Sequence, residues 1–227
     1  AHSTIHRMFE MVRTSAMLSI DPYLSQQALW PTHGRHILAQ FDTSSVVVYQ
    51  AFRSEIAEEA VRLGRFGPAF SRGRMSWIKP NFLWMMYRCG WAAKQDQERV
   101  LAVRLRREFF ESLLLSAVPS SFDGKSHPSR DAWHAAVQSS DVRLQWDPDH
   151  DPSGRPLERR AIQLGMRGKT LHEYAGDAIV ALEDVTPFVM DQRRHASAPY
   201  SELKTPSERV LVPDLAGAAL AVGLDSP

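Results

Sequence analysis

A single cysteine, Cys89, stands among the 227 residues. That excludes an internal disulfide and any zinc site built from several cysteines. With no paired base near it in sequence, Cys89 reads as a core residue. A surplus of one charge is missing too: the net charge is +1, so nothing draws the chain as a whole to nucleic acid. No apolar run approaches the roughly 20 residues that a membrane helix needs. The stretch through Leu18 lacks the hydrophobic core of a signal peptide. The expectation is an intracellular protein, cytoplasmic or nuclear, with no membrane partner. No strand is followed by Gly-x-Gly-x-x-Gly and no Walker loop occurs, so neither of those nucleotide-binding motifs is at work. No internal repeat is visible. Lysine is scarce, at 79, 94, 125, 169 and 204 only, so most of the 27 basic residues are arginine. The planar arginine fork suits phosphate and carboxylate; a coding preference for arginine would look the same.

What is present is a 44% hydrophobic chain, long enough for one domain with a sizeable core. The stretch 71–91 organises it. A basic turn with Arg72, Gly73 and Arg74 leads into a short extended run, 75–78, and then meets Lys79-Pro80. Proline disfavours helix at the residue before it and fits the first turn of one. Lys79 is therefore placed where a strand ends and a helix over 80–88 begins, with Gly90 as its stop. The free N–H groups and positive dipole of such a helix start attract anions. Phe82, Leu83, Trp84, Met85, Met86 and Trp91 make the helix apolar nearly all round, hence buried. A lysine at its mouth either serves a site or snorkels to the surface.

Elsewhere, 46–52 reads as a β-branched strand, and Ser54 as the cap of a helix ended by Gly64. Residues 100–106 alternate as a half-buried strand, with Leu101, Val103 and Leu105 on one side and Arg104 and Arg106 on the other. A helix over 109–117 follows, then one over 131–138 capped by Ser129. Strands are expected near 142–146, 160–166 and 178–184, with a short helix over 170–174. This predicts a single α+β domain over 41–190, with a mixed or antiparallel sheet, open to being split, flanked by helices. Residues 1–40 read as an N-terminal extension. Residues 191–227 read as a tail, partly mobile or docked as a weak helix. His2, His6, His33 and His36 have no ligand spacing and read as surface residues.

The runs 46–52, 70–72 and 74–88, with Gln145-Trp146-Asp147-Pro148 and Ile162-Gln163-Leu164-Gly165, resemble a family known as a domain of unknown function, numbered 4291. The likeness covers about residues 40–190. The order of elements is also similar to that of the ADP-ribosyltransferase superfamily, whose members grip NAD with a first-strand His or Arg, a middle-strand Ser, Thr or Tyr and a late-strand Glu. That resemblance implies Gln50 beside Tyr49 in the first slot, Ser71 or Ser76 in the middle one and Gln163 in the late one. Glutamine in the late slot departs from the pattern, because it can hold a ribose hydroxyl but carries no charge to balance an oxocarbenium ion. The lead expectation is a nucleotide-dependent transferase using NAD on a nucleotide or RNA substrate.

Two further readings stay open. Lys79-Pro80-Asn81-Phe82 resembles the Lys-x-Asp/Asn-Gly element of covalent nucleotidyltransferases, RNA ligases among them, although the glycine and a downstream Lys-x-Lys are missing. There Lys79 attacks ATP, and Arg72, Arg74 and Arg88 hold phosphates. A non-enzymatic nucleic-acid-binding module would instead use Arg104, Arg106, Arg107, Arg159 and Arg160 as an open stripe with tryptophans for stacking. No metal ligand set is assigned. The acidic run 147–158 has aspartates at calcium-loop spacing, but Pro152 stands where a glycine is needed. It reads as a solvated turn, with a magnesium contact by Asp147 or Asp149 as the alternative.

Overall fold

The run from Val46 to Tyr49 is apolar at four consecutive positions, and all four side chains are fully buried. A strand can bury successive residues only if both faces of its sheet are covered, and the architecture supplies both covers. The computed structural model describes residues 17–227; His2 and His6 lie outside them. In chain order the elements are β1 (Ile20–Pro22), α1 (Tyr23–Gln27), β2 (Gly34–Arg35), β3 (Leu38–Ala39), β4 (Ser45–Phe52), α2 (Ser54–Leu63), β5 (Ser76–Ile78), α3 (Phe82–Cys89), β6 (Arg99–Arg106) and α4 (Arg107–Ser116). They continue with β7 (Val118–Pro119), α5 (Arg130–Ser139), β8 (Val142–His150), β9 (Pro156–Met166), α6 (Gly168–Tyr174), β10 (Ile179–Asp184), α7 (Thr186–Arg193), β11 (Lys204–Pro206), β12 (Arg209–Val210) and α8 (Ala218–Val222). Among them no helix is long and apolar enough to cross a membrane.

The fold is α+β with a split sheet. One sheet is antiparallel, in the order β10–β6–β4, with Tyr49 opposite Ala102. The other is mixed and centred on β9, which pairs with β8 on one edge and with β2 and β5 on the other; β7 extends it beyond β8. A two-residue bridge, Tyr49 with Lys79, joins the sheets. The main core lies between them and holds Val46, Val48, Leu101, Val103, Ile162 and Leu164 with Phe110 and Leu114 of α4. A second core covers the other face of β4 and β6, where Val47, Tyr49, Val100 and Ala102 meet Phe82, Met86, Phe188 and Val189.

The described residues before 40 and those after 190 pack into this structure rather than standing apart from it as appendages. Tyr23 and Trp30 are buried in the second core, and β1 pairs with β11. Likewise β3 pairs with β12, so the described residues before 40 and those after 200 zip together. His33 is exposed, whereas His36 is buried rather than on the surface. Beyond Pro187, which sits in the first turn of α7, the chain stays ordered: α8 packs on α4, burying Ala218 and Val222. The Trp146 indole N–H donates to the Val222 carbonyl at 2.9 Å, and Arg35 and Asp225 hydrogen-bond in both directions. The docked-helix reading of the tail matches α8, whereas β1, β3, β11 and β12 were missed because each is too short to show a period.

Removing residues 217–227 should therefore cost stability. Burying a valine contributes about 2 kcal/mol, and a loss of that size lowers the melting temperature by about 4–8 °C in a chain this long. Thermal unfolding of the truncated chain checks this; an unchanged melting temperature would restore the mobile-tail reading.

Candidate active site

The start of α3 forms as the residue types dictate. The Asn81 side chain caps it by accepting from the Trp84 N–H at 2.8 Å, and Gly90 closes it in the left-handed conformation. Its vacancy for an anion is filled from within. The Phe82 N–H donates to Glu208 at 2.9 Å in a fully buried setting, so the chain supplies its own carboxyl where a phosphate was expected. Burial pushes the Glu208 carboxyl well above the usual carboxylate range, and Asp149 adds to this against the Phe82 N–H and Arg159.

Lys79, one turn earlier, faces a different space. Its backbone exchanges both hydrogen bonds with Tyr49, at 2.8 and 3.3 Å. The residue is 5% exposed, and among the described residues the one hydrogen bond of its side chain is a long one of 3.5 Å to the Trp77 carbonyl. No carboxylate among the described residues lies within ion-pair distance of it. Burial, and then the charge of Arg88, push its ammonium down to about 8, while Asp147 pulls the other way.

The space is a cleft of about 680 Å³ at the junction of the two sheets. It gathers Gln50, Ser71, Arg74, Ser76, Lys79 and Arg88, which lie up to 38 positions apart in sequence, and Asp96 is the one acid among the described residues on its wall. At its floor the Gln50 amide nitrogen donates to the Ser76 hydroxyl at 2.7 Å and to the Trp77 carbonyl at 2.9 Å. The Gln50 oxygen accepts from the Tyr174 hydroxyl at 2.6 Å. Arg53, Trp77 and the 95–97 turn also line the cleft. Arg53 stands at a strand-to-helix junction, the same signal that singled out Lys79, and was overlooked because Ser54 reads as the cap; the cap position is in fact Arg53.

Three expected site residues are not on this wall. Arg72 turns away and donates to the carbonyls of Phe66 and Gly67 at 2.8 and 2.9 Å, which makes it a clamp for its own loop. Tyr49 precedes Gln50 on a strand, so it must point to the opposite side; its hydroxyl is buried in the second core and has no hydrogen-bond partner. Gln163 lies opposite Gln145, and the two amides hold the Asp147 carboxylate between them at 2.9 and 2.8 Å. Because Ile78 pairs with Leu164, the next residue along each strand brings Lys79 alongside Gln163.

The acidic run 147–158 is a hairpin rather than a solvated turn throughout, with Asp149, His150 and Asp151 buried. Asp147 and Asp149 belong to β8, and the turn is confined to 151–155, where Asp151 accepts from the backbone of Ser153 and Arg155. Asp149 is consumed by a buried ion pair with Arg159 at 2.9 Å and by Asn81. Among the described residues no three His, Cys, Asp or Glu side chains gather as a metal set. Four of the five arginines of the open-stripe reading are engaged, Arg159 with Asp149 among them, while Arg160 is exposed. Arg104 binds Ser45, Arg106 pairs with Glu173, and Arg107 with Glu111.

A family model described as a domain of unknown function, DUF4291, matches residues 36–211. No curated protein matches the chain.

The buried lysine has a stability signature. From pH 8 to 10.5 the unfolded chain keeps a proton that the folded chain has released. Wild-type stability therefore gains a rising component with pH in that window. Lys79→Met keeps the apolar stem and removes the titration, so it should be at least as stable as wild type at pH 7 and lack that component. Urea denaturation from pH 7 to 10.5 checks this; parallel profiles for the two proteins would contradict it.

Proposed function

The chain belongs to the DUF4291 family, and from the geometry of its cleft we propose a nucleotide-dependent transferase that acts on a nucleotide or RNA substrate with NAD as donor. The observation that carries the reading is Lys79, buried and without an ion pair beside Arg74 and Arg88, on a cleft with one acid among the described residues on its wall. Cations left without anions of their own suit a ligand that brings phosphates. A volume of about 680 Å³ lies within the range of small-molecule sites.

NAD supplies an activated C1′–nitrogen bond, which breaks with the pair leaving on nicotinamide while an acceptor bonds to C1′. The chain's own part is binding and charge. Arg74, Arg88 and Lys79 face the phosphates. Gln50 and Ser76, the first-strand and middle-strand positions, meet by hydrogen bond at the floor. Gln163 carries no charge, but it holds the Asp147 carboxylate, so the late-strand position is negative at one hydrogen bond's remove. These contacts support the ADP-ribosyltransferase-like order of elements, with Tyr49 dropped from the catalytic set.

One observation favours a second reading. An ammonium with a pKa of about 8 is roughly one-tenth neutral at pH 7, enough for Lys79 to attack the α-phosphorus of ATP with pyrophosphate leaving. Magnesium would accompany ATP in that case.

Incubation with labelled NAD or labelled ATP, with and without RNA, followed by intact-mass measurement, separates the two. The proposal expects nicotinamide release from NAD, no adduct with ATP, and partial activity in Lys79→Arg, because only positive charge is required there. An acid-labile nucleotide adduct, absent from Lys79→Arg, would replace it with the covalent reading. Neither nucleotide bound or consumed would end both.

A further inference from the structure

The floor of the cleft holds a chain of hydrogen bonds whose directions can be assigned from chemistry alone. The Trp77 carbonyl has no hydrogen, so the Gln50 atom 2.9 Å from it must be the amide nitrogen. The second hydrogen of that nitrogen points to the Ser76 oxygen at 2.7 Å. The Gln50 oxygen then faces the Tyr174 hydroxyl at 2.6 Å and has no hydrogen of its own, so Tyr174 donates. Tyr174 is fully buried against Phe66, and burial raises its pKa well above the usual range, which keeps the proton in place. Ser76 thus accepts from Gln50. An amide nitrogen offers no lone pair in return, so the Ser76 hydrogen must point elsewhere, and Ser76 is a residue of the cleft lining.

We infer that Tyr174, acting through Gln50, holds the Ser76 hydroxyl as a fixed donor into the cleft, and that it receives a phosphoryl oxygen of the ligand. The phosphoryl assignment rests on the nucleotide reading above; the orientation of the hydroxyl does not. Both hydrogens of the Gln50 amide are spent within the protein. Gln50 and Tyr174 are therefore positioning residues, and Ser76 is the one of the three that gives a hydrogen to the ligand. A group that can accept is selected there, and a group that can only donate is refused.

Gln50→Glu tests this because a carboxylate reverses the direction. It accepts from Tyr174 and also from Ser76, which withdraws the Ser76 hydrogen from the cleft. Pyrophosphate affinity at fixed ionic strength is measured for wild type, Ser76→Ala, Gln50→Glu and the double variant. In the wild-type background Ser76→Ala should weaken binding about tenfold, the scale of one hydrogen bond to a charged group. In the Gln50→Glu background the added charge is common to both proteins, and Ser76→Ala should change affinity less than about twofold. Tyr174→Phe keeps the ring and frees the amide; it should raise KM for the nucleotide with kcat nearly unchanged, and adenosine, which has no phosphate, should not sense any of the variants. In ligand-free, ¹⁵N-labelled protein the Gln50 side-chain amide protons should show Overhauser contacts to Ser76 and Trp77.

Amide contacts to the Tyr174 ring in their place, or an equal cost of Ser76→Ala in both backgrounds, would overturn the hydroxyl orientation while leaving the nucleotide reading intact. The predicted amide contacts in a protein that binds neither pyrophosphate nor ADP would overturn the phosphoryl assignment together with the nucleotide reading.

Discussion

Two backbone hydrogen bonds between Tyr49 and Lys79 are the joint on which the rest of this structure turns. They exist because the chain changes partner there. From Ser76 to Ile78 it pairs with β9 in one sheet; at Lys79 it pairs with β4 of the other. Pro80 has no N–H to continue either ladder, so the strand ends and α3 begins two residues later. The junction leaves an opening between the sheets, and the alternation of β4 decides what faces it. Gln50 goes to the cleft and Tyr49 to the second core.

The charged groups around this joint divide into those that are paired and one, Lys79, that is not. Asp149 has Arg159, Asp147 has two glutamine amides, Glu208 has the first N–H of α3, and Arg72 has backbone carbonyls. Each arrangement offsets the cost of taking a polar group out of water. Lys79 has one long hydrogen bond and a depressed pKa. A buried cation kept without a carboxylate marks a place where stability is given up, and such places concentrate at sites. Arg88 deepens the effect, since it repels the same charge that a bound phosphate would balance.

The strands and helices of the central domain were legible because their signals are local. The β-branched run of β4, the Ser129 cap of α5, and the Gly64 and Gly90 stops appear where residue chemistry puts them. The meeting of Lys79, Arg74 and Arg88 was legible for the same reason, since all three lie within one turn and the helix it enters. The Gln50–Tyr174 contact was not, because it joins β4 to α6 across 124 residues and Tyr174 reads as an ordinary core aromatic. The filling of the α3 anion position by Glu208 was equally hidden, coming from 126 residues away. The ends of the chain escaped because β1, β3, β11 and β12 are two or three residues long. Pairing, rather than period, makes them strands.

The central claim is that the ligand of this protein is a nucleotide held at the sheet junction. Amide chemical-shift mapping during titration with ADP tests it most directly. The account predicts that the shifts gather at 50–53, 74–79, 88 and 95–97, around one cleft. Shifts gathered at the separate groove of Arg65, Arg72 and His172, or none at millimolar ADP, would contradict it.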